Sequence, residues 1–263
     1  MNRLTVIGIL ALTGCSAPAD PAGTLHVAAA SNLSHIFPTL ARVCHGATGL
    51  TLVPTFGNTA QLAQQIENGG PFDLFLAADT SHVSNLEIVH KMLSNSVHNY
   101  AQGRLVLYAP RRLDIRKLED LTLASVRKIG IAKPELAPYG KASVEALSRL
   151  HLWAAVEPKV VYGQNIGAVL QFVDSSNVDA AFTALALVNE SPGNKVLVDP
   201  SLHEPLNQAL GIPAGTQHAE QAHRAAEWFL SAEAQQIFSK SGYGIAAQDS
   251  DRKLPAPAAN VKP

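Results

Sequence analysis

In residues 25–37, LHVAAASNLSHIF, an apolar β-prone run stops at Ser31 and Asn32, and the pattern beyond them becomes helical. That change reads as a buried strand handing over to a helix through small polar residues. The same junction recurs in TFGNTAQL (55–62), behind a Pro-marked turn in PELAPYGKAS (134–143), and in VYGQNIGAVL (161–170). Around these junctions the runs TLHVAAA, LTLVPTF, FDLFLAA, RLVLYAP, KIGIAKP, KVVYG, DAAFTALALV and KVLVDP alternate with amphipathic stretches such as AQLAQQIENGG and KASVEALSRLHLW. Such alternation predicts an α/β fold of βαβ units around parallel sheets. Pro38 falls inside the helix expected after Ser31 and should kink or shorten it.

Eight strands exceed what one small sheet usually holds, and QALGIPAG followed by HAEQAHRAAEWFLSAEAQQIFSKSG reads as a return of the chain to its first half. The expectation is two lobes, the first from 24–107 and 211–247, the second from 108–210. The polar, Pro/Ala-rich tail 248–263 is expected to be disordered.

The chain has 263 residues, 47% hydrophobic and 16% charged, with a formal net charge of -1, so it can bury a large core but carries no broad basic field. Nucleic acid and polybasic membrane association are therefore excluded. The ten histidines are scattered without metal-ligand spacing, so neither a metal cation nor a cofactor is expected. The leader MNRLTVIGILALTGCSAPAD places Arg3 before a short apolar run, as an export signal over 1–19 does. Two cleavage readings stand: LTGC resembles a lipobox, with Cys15 the lipidated first residue of the mature chain, and APA (17–19) fits ordinary small-x-small cleavage. Either way the protein is expected outside the cytoplasm, touching a membrane only through lipid on Cys15. Cys44 then lacks an internal partner and is expected to be a small buried hydrophobe.

The recurring junction carries the chemistry. The first N–H groups of a helix have no internal partners and sit at the positive end of its dipole, so they hold anions without formal charge. In doubly wound sheets such ends gather in the crevice beyond the strand carboxyl ends. Taken singly, Ser31, Asn58 and Thr59 read as ordinary helix caps. Four junctions together point to an anion site.

Four segments carry a family resemblance: AAASNL (28–33), FGNTAQLAQQIENGGPFDLFLAAD (56–79), PELAPYGKASVEAL (134–147) and VYGQNIGAVLQFVDSSNVDAAF (161–182). From about residue 24 to 247 the chain resembles the periplasmic molybdate-binding proteins, the substrate-binding components of molybdate ABC transporters. The resemblance implies a type II periplasmic binding protein with two α/β lobes, a ligand cleft between them and a permease partner; a monomer is the default expectation for the oligomeric state. It also implies an oxyanion pocket for molybdate and tungstate. Ser31 would supply hydroxyl and main-chain N–H, with Asn32 following it. Thr59 would supply a hydroxyl, and Tyr139 and Ile166 main-chain N–H groups. Asn58 would either turn its amide to the pocket or cap its helix. Ala184 stands where some members have a Tyr donor, whose part Asn32 could take.

Enzymatic readings find no motif. There is no Gly-x-Ser-x-Gly elbow, and YGKAS lacks the upstream Gly of a P-loop, Glu135 standing in its place. GYGIAA is too fragmentary for a dinucleotide fingerprint, Asp73 and Asp79 read as a strand-end residue and a helix cap, and His35 and His82 as surface or edge residues. The sequence thus favours a binding protein over a hydrolase, with a carrier of sulfate or another small oxyanion as the nearer alternative.

Overall fold

The computed structural model describes residues 23–111 and 113–246. The leader, Cys15 and the tail from 248 lie outside the described residues. Among the described residues, ten strands form two five-stranded sheets. The first sheet contains β1 (Thr24–Ala30), β2 (Thr51–Gly57), β3 (Leu74–Leu76), β4 (His98–Gln102) and, from late in the chain, β10 (Asn207–Gly211), in the order β2-β1-β3-β10-β4. The second contains β5 (Leu105–Ala109), β6 (Ile129–Ala132), β7 (Val160–Gly163), β8 (Ala180–Ala184) and β9 (Asn194–Leu197), in the order β7-β6-β8-β5-β9. Helices of the first lobe are α1 (Phe37–Thr48), α2 (Thr59–Glu67), α3 (Ser81–Ile88), α8 (Ala219–Leu230) and α9 (Ala232–Lys240); those of the second are α4 (Pro138–Arg149), α5 (Trp153–Val156), α6 (Ile166–Asp174) and α7 (Leu185–Val188).

Period-two burial covers the first sheet on both faces. Val27, Ala29, Leu74 and Leu76 pack with Leu40 of α1, Phe229 of α8 and Phe238 of α9. Ala28, Phe75 and Ala77 turn the other way, onto Leu62 and Ile66 of α2 and Val83 and Leu86 of α3. This is the sandwich expected when crossover helices lie on both sides of a sheet. Pro54 sits in β2, an outermost strand, where a missing N–H disturbs the ladder least. Cys44 is fully buried in α1, as expected of a small hydrophobe.

The sheets are mixed, not purely parallel. β1 runs parallel to β2 and β3, and β6 parallel to β7 and β8, but β10 is antiparallel to β3 and β4, and β5 antiparallel to β8 and β9. The antiparallel strands flank the two places where the chain passes between lobes. The first passage is Gly103–Arg104, between β4 and β5; the second runs from β9 through a 3-10 turn, Pro200–Leu202, to β10. The boundaries expected at 107/108 and 210/211 therefore fall inside β5 and β10. β4, HNYAQ, and the start of β10, NQALG, are too polar to show as apolar runs, so both passages lie a few residues earlier than hydrophobicity suggests.

Three further expectations change. After Ser31 the chain makes only a 3-10 turn, Ser31–Leu33, and α1 starts at Phe37, which puts Pro38 in its first turn, where a missing N–H costs nothing. The run DAAFTALALV is not one strand: β8 ends at Ala184 and the next four residues form α7. The long C-terminal amphipathic segment breaks at Ser231, whose extended backbone separates α8 from α9 and whose Oγ accepts from the Ala234 N–H at 3.3 Å.

Candidate anion-binding site

The carboxyl ends of β1, β2, β6 and β7 face one another across the two lobes, and the segments that follow them meet. The Ala60 N–H at the start of α2 donates to Leu136 O, just before α4, at 3.4 Å. Asn58, the cap of α2, donates from Nδ2 to Gln164 O, just before α6, at 3.1 Å. A Cβ placed on Gly167, in the first turn of α6, would lie 3.8 Å from Ser31 Cβ. Ala30 and Ala78, at the ends of the β1 and β3 segments, pack in the same apolar cluster as Tyr139 and Ile166. The Ser31 turn and the N-termini of α2, α4 and α6 thus converge on one place between the lobes. Three of the four junctions are α-helix starts, and the Ser31 junction is a 3-10 turn.

What the convergence presents follows from which donors are already satisfied. At α2, Gln61 N–H goes to Asn58 Oδ1 and Leu62 N–H to Asn58 O. At α4, the Gly140 and Lys141 N–H groups both go to Ala137 O. At α6, Ala168 N–H goes to Asn165 Oδ1 and Val169 N–H to Asn165 O. The main-chain N–H groups of Thr59, Tyr139, Ile166 and Gly167 are left with no protein acceptor among the described residues. Thr59 Oγ1 accepts from Ala78 N–H at 3.1 Å, so its own hydrogen is free to donate. Ser31, Thr59, Tyr139 and Ile166 are 8%, 1%, 2% and 3% exposed, so their groups are largely withdrawn from water, while Gly167 is half-buried. Buried donors without acceptors are costly unless something supplies lone pairs.

Asn58 resolves into a cap that also spans the cleft: Oδ1 ends α2 and Nδ2 bonds the second lobe. Tyr139 turns its phenol away from the convergence, toward the passage between lobes, where Oη accepts from Gln208 Nε2 at 3.0 Å. Only its main chain therefore belongs to the donor set, and burial pushes its phenol well above the usual range. Asn32 departs from expectation. Its Nδ2 donates to Gln208 Oε1 and to Tyr243 Oη, both at 2.9 Å, and Tyr243 Oη donates back to Asn32 O at 2.9 Å. The Asn32 amide is thus spent on the turn, and its buried Oδ1 has no partner among the described residues. In this arrangement it does not stand in for the donor missing at Ala184.

Gln208, Tyr100 and Tyr243 escape sequence reasoning. Gln208 is fully buried in β10, accepts from Asn32 and from Tyr100 Oη at 2.8 Å, and donates to Tyr139. The available signal was a Gln at an inward position of NQALG, a strand hydrophobicity does not delimit. The carboxylates take structural work. Asp73 accepts from His26 N–H, Thr216 Oγ1 and the His218 ring; Asp79 caps the turn into α3 through His82 N–H and pairs with the His82 ring at 2.8 Å. Among the described residues no cluster of His, Cys, Asp or Glu could hold a metal cation, and no helix is long and apolar enough to cross a membrane.

Two α/β lobes joined by a pair of crossings, with uncharged donors gathered between them, define a type II periplasmic binding protein. Residues 25–244 match the bacterial extracellular solute-binding protein family, and the chain belongs to it. It is 31% identical to the molybdate-binding protein ModA of Azotobacter vinelandii over 251 residues, covering 93% of this chain and 98% of that one. It is 29% identical to ModA of Rhodobacter capsulatus over 245 residues, covering 92% and 96%. The solved periplasmic molybdate-binding protein of Azotobacter vinelandii superposes with a TM-score of 0.81 at 28% identity, covering 85% of this chain and 100% of that one.

Proposed function

We propose that the protein captures molybdate, and with it tungstate, and delivers it to the permease of an ABC transporter. The observation that carries this reading is the set of buried main-chain N–H donors at Thr59, Tyr139 and Ile166, without acceptors among the described residues, together with the Thr59 hydroxyl and the Ser31 turn beside them. A fully ionised tetrahedral oxometallate offers lone pairs only, so donors alone can meet it and a nearby carboxylate would repel it. Asn58 serves the site as cap and contact between lobes. The anion is cargo, not a cofactor.

Discrimination follows from fixed geometry. In a shell matched to the larger oxometallate, sulfate leaves some donors unmet, and each buried bond left unmade costs about 1–3 kcal/mol. Hydrogen phosphate brings a proton and is disfavoured where donors dominate. Tungstate, nearly the size and charge of molybdate, passes the same filter. Donors from both lobes make ligand contact favour closure, which is what a permease can recognise.

The same proposal includes export, anchoring through lipid on Cys15, a monomeric state, and lobes divided near residues 104 and 206. The test is a panel of anions added to the mature protein while its melting temperature is followed. Molybdate and tungstate should raise it in stoichiometric fashion, sulfate and phosphate little. Stabilisation by sulfate in preference to molybdate would instead make the protein a sulfate carrier.

A further inference from the structure

Asn58 bonds one lobe to the other, and both polar groups of its side chain already have protein partners. Its Oδ1 accepts from Gln61 N–H at 2.8 Å and caps α2, while Nδ2 donates to Gln164 O at 3.1 Å. The cap decides which amide atom faces the second lobe: turned over, Nδ2 would meet an N–H and Oδ1 a carbonyl. Asn58 itself is 2% exposed, while Gln61 and Gln164 are exposed residues, so both bonds lie at the border between the interior and solvent.

Topology gives the contact leverage. Asn58 follows β2 and Gln164 follows β7, the outermost strands of their sheets, whereas β4, β5 and β10, which flank the passages between lobes, lie toward the opposite edges. Opening about the passages separates the β2 and β7 edges most, so this bond stretches early. The Ala60 N–H to Leu136 O contact spans the same gap at 3.4 Å, a longer and weaker bond.

We propose that Asn58 is a closure latch, a positioning residue that sets how long a captured anion is held without itself touching it. The proposal rests on the anion-binding reading above. In the open form both partners are hydrated, so the net gain of one neutral bond is modest and the latch stays reversible. A gain of that size corresponds to about a 2- to 10-fold change in retention.

Asn58→Ser and Asn58→Asp test it, because both keep an oxygen that caps α2 and both lose the donor to Gln164. Molybdate release is followed by stopped flow, with association rates and ligand-free melting temperatures alongside. Release should quicken about 2- to 10-fold in Asn58→Ser and more in Asn58→Asp, where a carboxylate oxygen faces the carbonyl. Association and ligand-free stability should stay near wild type. Asn58→Ala, which loses cap and latch together, calibrates the cap. Wild-type release rates in both the Ser and Asp variants would overturn the latch and leave the anion reading standing. Acceleration that only tracks a fall in ligand-free melting temperature would overturn it too. If the wild-type protein retains neither molybdate nor tungstate, the anion reading fails, and the latch is read on the ligand-free chain by hydrogen exchange at Ala60. Faster exchange there in Asn58→Ser supports the latch, and equal exchange overturns it.

Discussion

Gln208 Nε2 donates to Tyr139 Oη at 3.0 Å, joining the strand that re-enters the first lobe to the helix that opens the second-lobe side of the site. The other end of the same amide accepts from Asn32 Nδ2, one residue beyond Ser31. A single side chain next to the passage between lobes therefore holds both the Ser31 turn and the start of α4.

Tyr139→Phe removes the phenol while keeping the main-chain N–H, and leaves the buried Gln208 Nε2 without its acceptor. Urea unfolding of the ligand-free protein should show a loss of about 1–3 kcal/mol. Gln208→Leu in the same chain should cost less than the sum of the two single changes, because the Tyr139→Phe penalty is an unpaired donor that Leu no longer presents.

The double variant Ser31→Ala, Thr59→Ala should lose most of the rise in melting temperature that molybdate produces. Thr59→Ala alone should also lower ligand-free stability by about 1–3 kcal/mol, since Ala78 N–H loses its acceptor at a site 1% exposed. Thr59→Ser, which keeps the oxygen, should restore both. Full retention of the molybdate shift in the double variant would count against these hydroxyls.

Two glycines within helices should respond oppositely to alanine. A Cβ on Gly140, in the first turn of α4, would run into Ala132 O, main chain that cannot turn aside, whereas one on Gly46 in α1 meets nothing within 4 Å. Gly140→Ala should cost about 3 kcal/mol or more as overpacking and weaken anion binding by shifting the Tyr139 N–H. Gly46→Ala should stabilise by about 0.5–1 kcal/mol through helix propensity alone. Denaturant midpoints of the two variants check this.

His82 should titrate above its ordinary value, because its hydrogen bond to Asp79 outweighs the burial that opposes protonation. A raised folded value means the pair's contribution to stability is complete below about pH 6.5 and is lost as pH rises through the folded value. Glu135, Lys141, Glu145 and Glu204 line the same cleft. An NMR titration should place His82 above 6.5, and Asp79→Asn should bring it down; His82→Gln should flatten this part of the stability profile. A wild-type His82 that titrates at or below its ordinary value would contradict the pairing.

Of the fold, the parts that depend on local pattern were readable in advance. β1, β2, β5 and β7 announce themselves as short apolar runs, and α2 by its spacing and its Gly-Gly end. Pro38 made no sense as a helix-interior residue and only a three-residue 3-10 turn ahead of α1 explains it. β4 and β10 stay hidden because His, Asn and Gln interrupt them; buried Gln208 is tolerated because Asn32, Tyr100 and Tyr139, distant in sequence, satisfy it, while His98 is met locally by Asn95 O.

The amino-acid sequence by itself determined the α/β class, the two-lobe organisation and the four junctions where donors would be aimed, because caps, strand ends and helix starts are local properties of a few neighbouring residues. Tertiary structure alone decided what the amides do. Asn32 meets Gln208 across 176 positions and Tyr243 across 211, and Asn58 meets Gln164 across 106. An amide carries a donor and an acceptor at one end of the same side chain, and which of them faces the site depends on the partner that the folded chain brings to it.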